Sequence, residues 1–250
     1  MTLMNTWRLL LCLSLLKITF QSCNQENAFD CIKSTGSITQ ERRSLAAFRV
    51  IILEDNINLR LDASTQGVAV VEAGENLIPK INFTHKDDTL IVSNKNSCEW
   101  VRSYKYPVSV TIGVGPGSLT LIHQGYGKIT STDILPLPDL SILSLDAGGN
   151  IDISIRTNSL IIYSNSHALI NLTGQSTMAS IWLNKAIGRV HAENLTVQNC
   201  TVTHGGSNEI RVFPLKELSV EILQTGNVAY YNEPEKLTSY IKGTGKLISR

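Results

Sequence analysis

The stretch from Cys98 to Tyr106 concentrates side chains that can bind a sugar. In an extended strand every second side chain points the same way, so one face would carry Trp100, Arg102, Tyr104 and Tyr106. Aromatic rings offer flat apolar surfaces and arginine offers a fork of hydrogen-bond donors, which together would form a glycan platform. The alternative, which we favour, is that these rings pack against neighbouring segments beside Cys98.

The acidic residues in the second half of the chain do not recur in a way that would build a catalytic pair. Acid–base cleavage of a polysaccharide needs two carboxylates close together. One repeat later, the positions equivalent to the acids carry Ile155, Asn165, Asn171 and Phe213. The acids concerned are Asp133, Asp146, Asp152 and Glu193. The sequence therefore predicts no catalytic residue and a protein that is not an enzyme.

The five histidines give no sign of a metal centre. Only His123 and His204 occupy the same position of the repeat, and several repeats separate them. A metal site needs ligands that converge on one point. We therefore expect no metal and no cofactor, and we expect the histidines to be solvated at the surface.

The N-terminal residues indicate export and lipid attachment. After Arg8, residues 9–16 form an apolar run that is too short to span a bilayer but has the length of a signal-peptide core. Ser22 stands directly before Cys23, as a small residue does in a bacterial lipobox. We predict that residues 1–22 are a lipoprotein signal peptide and that Cys23 carries a lipid. The lipid would hold the protein to the cell envelope, on the periplasmic or surface side of the outer membrane.

Cysteines 31, 98 and 200 follow the lipid site, and an exported compartment permits disulfides. Three thiols allow one pair and leave one thiol over. We favour a bond between Cys31 and Cys98, because both lie in polar, turn-like segments whereas Cys200 lies within a repeat. A bond that includes Cys200 is the alternative.

The charge of the chain is balanced, with 22 Lys and Arg residues against 21 Asp and Glu residues. Proteins that bind nucleic acid carry a basic patch, so the composition gives no reason to expect such a partner. Residues 23–47 are polar and lack a pattern, and we expect them to form a lipid-anchored tether. Residues 48–250 would form a single head domain.

The head is expected to consist of short β-strands. Apolar Ile57, Leu59 and Leu61 alternate with polar residues, which is typical of a half-buried strand. Turn residues separate this run from similar ones, and no window shows the apolar stripe of a capped helix. The sequence therefore predicts an all-β protein.

From residue 129 onward an apolar position recurs every 18 to 22 residues. It is occupied by Ile129, Ile151, Ile170, Val190, Ile210, Val228 and Leu247. Two residues earlier, five of the seven repeats have glycine, which we attribute to turns with positive φ, as at Gly149, Gly188 and Gly226. Eight residues before the marker lies a second, mostly apolar column: Leu121, Leu143, Ile162, Trp182, Val202, Val220 and Ser239.

Columns at several offsets from one marker favour a β-solenoid. In a solenoid each coil stacks its inward side chains on the equivalent side chains of the next coil. A β-sandwich with evenly spaced turns is the alternative, but it does not require aligned columns. The residues before 129 would then form an irregular N-terminal β portion.

Several segments resemble the Gram-negative lipoprotein family described as putative auto-transporter adhesin, head GIN domain. They are residues 28–31, 41–42, 72–78 and 96–104, and the glycine-apolar repeat around Gly149 is similar too. The resemblance extends over residues 28–250. It implies a right-handed β-helix and a lipid-anchored place in the envelope, and it brings no catalytic residues.

We expect a non-catalytic role in adhesion, or in binding a polysaccharide or a protein of the envelope. A solenoid offers long faces that suit such binding. The alternatives are a polysaccharide-active β-helix enzyme, and an envelope scaffold or stress-response component.

Overall fold

The computed structural model describes residues 34–64, 66–96 and 107–250. It is a β-solenoid of about seven turns, as predicted. The strands of the N-terminal portion are β1 (Ile38–Ser44), β2 (Val50–Leu53), β3 (Asn58–Asp62), β4 (Val68–Gly74), β5 (Ile81–Lys86), β6 (Thr89–Asn94), β7 (Ser109–Gly113), β8 (Leu119–His123) and β9 (Ile129–Pro136). A short 3-10 turn, Ile78–Lys80, precedes β5. The later strands are β10 (Asp139–Ser144), β11 (Ile151–Ser164), β12 (Leu169–Asn184), β13 (Arg189–Gly205), β14 (Ile210–Ile222), β15 (Val228–Tyr230), β16 (Lys236–Ile241) and β17 (Leu247–Ser249).

Strand pairing divides the solenoid into two long sheets that share strands β11 to β14. The first sheet has the order β1-β4-β7-β3-β9, continues through the first parts of β11 to β14, and ends with β15 and β17. The second sheet has the order β5-β6-β2-β8-β10, continues through the second parts of β11 to β14, and ends with β16. Pairing is parallel except for β1–β4, β4–β7 and β5–β6. These antiparallel pairs are the irregular N-terminal portion that the sequence predicted.

The marker column of the repeat is an inward row of the first sheet. Ile151 pairs in register with Ile129 and Ile170, and the pairing continues through Val190, Ile210, Val228 and Leu247. All members except Leu247 are fully buried. Burial of a large aliphatic side chain contributes about 1.5–3 kcal/mol to stability, so this row is a main part of the hydrophobic core. The predicted register is confirmed.

The second column differs from the prediction in two coils. The inward row of the second sheet contains Ile142 and Ile181, which flank Ile162, instead of Leu143 and Trp182. We call the segment that leads from the second sheet back to the first sheet, such as residues 145–150, the corner. In these two coils the corner is one residue longer, so the row lies nine residues before the marker rather than eight. A shift of one residue along a strand moves a side chain to the opposite face. Trp182 is therefore outside, with 50% of its surface exposed.

The glycines at this corner serve close contact between coils and not a positive φ. Among the described residues the glycines with positive φ are Gly36, Gly67 and Gly174, so the prediction of positive φ in the marker repeats was wrong. A Cβ at Gly149 would lie 1.9 Å from the carbonyl oxygen of Gly127 in the preceding coil. A Cβ at Gly188 would lie 2.4 Å from the carbonyl oxygen of Ala168. The missing side chain lets one coil turn the corner directly against the backbone of the previous one.

Two histidines line the inside of the same corner. His123 and His204 are fully buried, so the expectation that all five histidines are solvated was wrong. The Nε2 atom of His204 lies 2.6 Å from the carbonyl oxygen of Asn208, and its Nδ1 atom accepts a hydrogen bond from the Gly206 N–H. Burial lowers the pKa of His123 to about 4 and also lowers the pKa of His204, because the charged ring would lose its hydration.

Serine residues continue this row between the two histidines. Ser144 pairs with His123 on one side and Ser164 on the other. The Ser166 hydroxyl lies 2.8 Å from that of Ser144 and 2.9 Å from that of Ser164, and all three side chains are buried. Each hydroxyl finds a partner inside the corner, which offsets the cost of burying a polar group.

Strand β1 lies within the stretch that the sequence assigned to a tether. It pairs with β4 over its whole length, although most of its side chains are exposed. Arg43 fastens it by donating hydrogen bonds to the carbonyl oxygens of Ile78, at 3.0 Å, and Ile81. Residues 38–44 therefore belong to the first sheet and not to a free tether, whereas residues 1–33 lie outside the described part.

Cys200 is the cysteine that the described residues contain, and its thiol is free. It fills an inward position of the second sheet between Ala179 and Leu218. Burial raises its pKa to about 12, so the thiol stays protonated and unreactive.

Candidate functional site

The residues that the sequence singled out for function lie outside the described part of the chain. They are the predicted lipid site Cys23, the predicted disulfide partners Cys31 and Cys98, and the platform residues Trp100, Arg102, Tyr104 and Tyr106. Their roles stay predictions. The described residues present a different surface of aromatic and aliphatic side chains.

This surface is the outer side of the second sheet, which we call the flat face. Six successive strands each place one apolar side chain in the same outward row: Ile91, Ile52, Ile122, Leu143, Tyr163 and Trp182. We call this the apolar row. At about 4.8 Å per strand it extends for about 24 Å. Trp182 is its exposed member and the other five side chains are half-buried. Contiguous apolar surface outside the core is typical of an interaction site.

An aromatic pair ends the apolar row. The rings of Tyr163 and Trp182 meet edge to face, with centroids 5.4 Å apart and planes at 88°. The Asn184 side chain donates a hydrogen bond to the Tyr163 hydroxyl at 3.1 Å. These contacts fix the orientation of both rings. The exposed half of the Trp182 ring is therefore held in place before any ligand arrives.

Beside the apolar row runs a second outward row that is rich in hydroxyl groups. Its members are Thr120, Ser141, Ile161, Ser180, Thr201, Ser219 and Thr238. Hydroxyls can both donate and accept hydrogen bonds, and parallel pairing repeats them at the strand spacing. Ile161 interrupts the row beside the aromatic pair and is 48% exposed. The flat face thus combines an apolar strip with a regular line of hydrogen-bonding groups.

The outer side of the first sheet, which we call the charged face, has a different character. Its central outward row contains Thr130, Asp152, Asn171, His191 and Arg211. Arg211 donates to Glu209 at 2.7 Å and to Glu193 at 3.1 Å, and these bonds raise its pKa. Lys128 pairs with Asp152, whose pKa is lowered by the bonds from Lys128 and Asn171 although burial opposes this. The charges on this face therefore largely neutralise one another.

The carboxylates that meet from adjacent coils of the charged face, Glu193 and Glu209, both bind the guanidinium of Arg211. Asp152 lies level with Thr130 on one side and Asn171 on the other. Burial and the nearby Arg211 lower the pKa of His191, which favours its neutral form. No group of three or more His, Cys, Asp or Glu residues converges in the described part of the chain.

Comparison with protein families assigns the fold. The family model described as putative auto-transporter adhesin, head GIN domain, matches residues 47–234, which contain the apolar row and the central row of the charged face. This chain belongs to that family. The predicted resemblance is therefore confirmed.

Solved structures support the same head GIN architecture. A structure described as a putative adhesin from Bacteroides fragilis has a TM-score of 0.75 and 20% identity, covering 86% of this chain and 97% of that chain. A putative adhesin from Parabacteroides merdae has a TM-score of 0.60 and 19% identity, covering 87% and 98%. A putative lipid binding protein from Parabacteroides distasonis has a TM-score of 0.60 and 16% identity, covering 87% and 98%. At these identities the similarity shows the fold.

Membership of the head GIN family indicates a protein of the cell surface or envelope with a non-catalytic role in adhesion. Among curated proteins, none matches this chain. The described residues form no helix that is long and apolar enough to cross a bilayer.

Trp182 is one of the residues that the sequence placed wrongly, and its own strand held a signal for its true position. A fixed offset from the marker assigned it to the core, although its own strand alternates Ala179, Ile181 and Leu183 with polar Ser180. That local alternation places Trp182 on the same side as Ser180, which is outside. The period of two within a strand was therefore a better guide than the period of the coil.

Proposed function

We propose that this head GIN protein is a lipid-anchored envelope adhesin that binds an extended polysaccharide along its flat face. The observation that supports this most strongly is the fixed, half-exposed Trp182 ring at the end of the apolar row, beside a row of hydroxyls. Sugar rings have an apolar face of C–H groups and an edge of hydroxyls. The first can stack on an aromatic ring while the second bonds to Ser180 and Thr201.

The shape of the face suits a chain molecule rather than a small ligand. The hydroxyl and apolar rows run across the strands, so a polysaccharide could follow them over several coils. Each sugar would add a weak contact, and the repeated contacts would add up along the chain. Such multivalent binding needs no deep pocket.

The test is binding of neutral hexasaccharides to the detergent-solubilised full chain. We expect Trp182→Ala to weaken binding at least tenfold, or by about 1.4 kcal/mol, because tryptophan is enriched among the few side chains that dominate a binding surface. Tyr126→Ala is the matched control, since Tyr126 is 73% exposed but lies in the corner before β9. Equal affinities of both variants and the wild type would exclude the flat face as the glycan site.

A protein of the envelope is the second candidate partner. Ile161 and Met178 are exposed beside the aromatic pair, and aliphatic and Met side chains are common in protein interfaces. A photo-crosslinking residue at position 180 would capture such a protein in intact cells. A single crosslinked envelope protein, together with no binding of hexasaccharides, would favour a scaffold or stress-response role over adhesion to glycans.

Catalytic cleavage of a polysaccharide is the remaining alternative. We disfavour it because the acids of the charged face, Asp152, Glu193 and Glu209, already have cationic or amide partners. Incubation of the bound hexasaccharides with the protein, followed by chromatography, would reveal shorter products if the protein were an enzyme.

The lipid anchor is part of this proposal and rests on the sequence. Cys23→Ala should release the protein from the membrane fraction or leave the precursor uncleaved. A variant that fractionates and matures like the wild type would contradict the lipoprotein assignment. The proposed Cys31–Cys98 bond is tested by mass spectrometry of a non-reduced digest, and free thiols at both positions would exclude it.

The segment from Trp100 to Tyr106 stays a second place to look for a glycan. Trp100→Ala and Tyr104→Ala distinguish its two interpretations. If the rings pack against other segments, each variant should lose about 3–5 kcal/mol of stability. If the rings bind sugar together with Arg102, stability should hold while binding falls.

A further inference from the structure

A groove on the charged face carries the chemistry for a second ligand. It lies where β7 runs between the antiparallel strand β4 and the parallel strand β3. The outward residues of β7, Ser109 and Thr111, are short and form the floor, whereas longer side chains stand on the neighbouring strands. The cavity has a volume of about 260 Å³. Sites for drug-sized ligands measure roughly 300–1,000 Å³, so the groove has room for about one sugar ring.

One wall of the groove is cationic. Arg60 of β3 is exposed and has no ion-pair or hydrogen-bond partner for its guanidinium among the described residues. Lys128 contacts Asp152 on its far side. An ammonium group has three donors, so Lys128 can bind a ligand as well. Both side chains line the groove, and the planar guanidinium of Arg60 can bind a carboxylate with two parallel hydrogen bonds.

The opposite wall carries acceptors. Glu72 of β4 lies level with Ser109, and the Gln40 side chain donates to its Oε2 atom at 2.6 Å. The other carboxylate oxygen and the floor hydroxyls can accept hydrogen bonds from hydroxyl groups of a ligand. The groove thus has one wall that attracts a negatively charged group of a ligand and an opposite wall that accepts hydrogen bonds from hydroxyl groups of the ligand.

We propose that this groove binds one hexuronate residue of an acidic polysaccharide. The sugar carboxylate lies on Arg60 and Lys128, and the ring hydroxyls donate to Glu72. A neutral sugar would leave Arg60 without a partner, and a simple anion would bring negative charge towards Glu72. A hydroxylated ring with one carboxylate satisfies both walls. The groove is on the charged face, so this proposal is independent of the flat face.

The test is calorimetric titration of the detergent-solubilised full chain with trigalacturonate, neutral galactotriose and inorganic phosphate. We expect binding of trigalacturonate and much weaker binding of the other two ligands. Arg60→Gln should lower the affinity for trigalacturonate by about 10- to 100-fold, because it removes a charge-assisted hydrogen bond. Arg60 is exposed, so this change should leave the melting temperature unaltered.

Two further variants make the result decisive. Arg156→Gln removes the same charge from an exposed arginine that does not line the groove, and it should leave the affinity unchanged. Glu72→Gln should weaken trigalacturonate binding but strengthen phosphate binding, since it removes a repulsive charge. Equal losses in Arg60→Gln and Arg156→Gln, or phosphate binding as tight as that of trigalacturonate, would overturn the proposal. Trp182→Ala should leave trigalacturonate binding intact, which separates this site from the flat face.

Discussion

The flat face and the charged face are built on the same strands but present opposite chemistry. Strand β11 contributes Asp152 to the charged face and, eleven residues later, Tyr163 to the flat face. Behind both faces the inward rows are alike, with aliphatic side chains stacked from coil to coil. Outside, one face shows ion pairs and the other an apolar row. The interior defines the solenoid, and the outward rows are free to differ because no other layer packs on them in the described part of the chain.

This difference shows why the two faces suit different ligands. On the charged face, paired groups such as Arg211 and Glu209 satisfy each other, whereas Arg60 has no such partner among the described residues and is available for binding. On the flat face, the apolar row has no such internal partner among residues 34–64, 66–96 and 107–250, and it would gain from being covered. Water release from about 24 Å of apolar row favours binding there, whereas charge complementarity favours it in the groove.

The corner that joins the two faces should be the most sensitive part of the molecule. Gly149→Val should destabilise the protein by about 4 kcal/mol or more, since its Cβ would overlap the carbonyl oxygen of Gly127 and backbone cannot yield easily. Urea unfolding followed by circular dichroism measures this loss. Gly117→Val is the control, because a Cβ at Gly117 has nothing within 4 Å. Similar midpoints for the two variants would contradict the close contact of coils at the corner.

On the second sheet, substitutions at two neighbouring residues of β11 should differ strongly in their effect on stability, because one side chain points into the core and the other outward. Ile162→Ala should lose about 2–5 kcal/mol, because Ile162 is fully buried in the inward row. Ile161→Ala should change stability by less than about 0.5 kcal/mol, since Ile161 is 48% exposed. The same unfolding experiment compares the two variants. A large loss at Ile161 would mean that the flat face is covered by another part of the protein.

The inward rows could be predicted from the sequence because burial imposes a strict pattern. The marker column needed no correction, and its register follows from apolar residues at a nearly constant spacing. The second column failed at Leu143 and Trp182, because a fixed offset from the marker ignores changes in the length of the corner, although the alternation within its own strand places Trp182 correctly. The glycines were located correctly, but their cause is contact between coils. A single sequence shows where glycine occurs, but it does not show which atoms of the neighbouring coil a larger side chain would overlap.

Buried polar groups and outward rows could not be predicted in the same way. His123 and His204 lie inside the corner in one inward row, whose other positions are occupied by serine or leucine. Because this row is not consistently apolar, the sequence pattern does not show that the two histidines are buried. The apolar row arises from residues far apart in sequence, from Ile52 to Trp182, which only strand pairing brings together. The groove depends on the order β4-β7-β3, which is not the order of the chain.

Acid should weaken the corner between the faces more than the faces themselves. Because the pKa of His123 falls from 6.5 to about 4 on folding, the unfolded chain binds a proton more readily than the folded protein. The contribution of His123 to stability is therefore complete above pH 6.5, falls as the pH is lowered from about 6.5 to 4, and does not change below that. The loss due to His123 is about 3 kcal/mol. His204 adds a loss in the same direction.

The variant His123→Leu isolates this contribution, and leucine already occupies the same row at Leu53 and Leu183. Unfolding free energies measured from pH 7 to pH 4 should fall less in the variant than in the wild type. Parallel curves for the two proteins would show that the ring of His123 is hydrated in the folded state.

The ion pairs of the charged face should contribute least to stability and respond most to salt. Glu209→Gln removes the partner of Arg211 and of Arg250, whose side chains are 33% and 51% exposed. Exposed pairs contribute about 0.2–1 kcal/mol each, so we expect a loss below about 1 kcal/mol that shrinks as salt is raised to about 1 M. Thr201→Val on the flat face involves no charge, and its effect on the unfolding free energy should not depend on salt. If the loss of unfolding free energy depends on salt in the same way for both variants, the ion pairs of the charged face do not contribute to stability. The charges of the first sheet would then matter for binding alone.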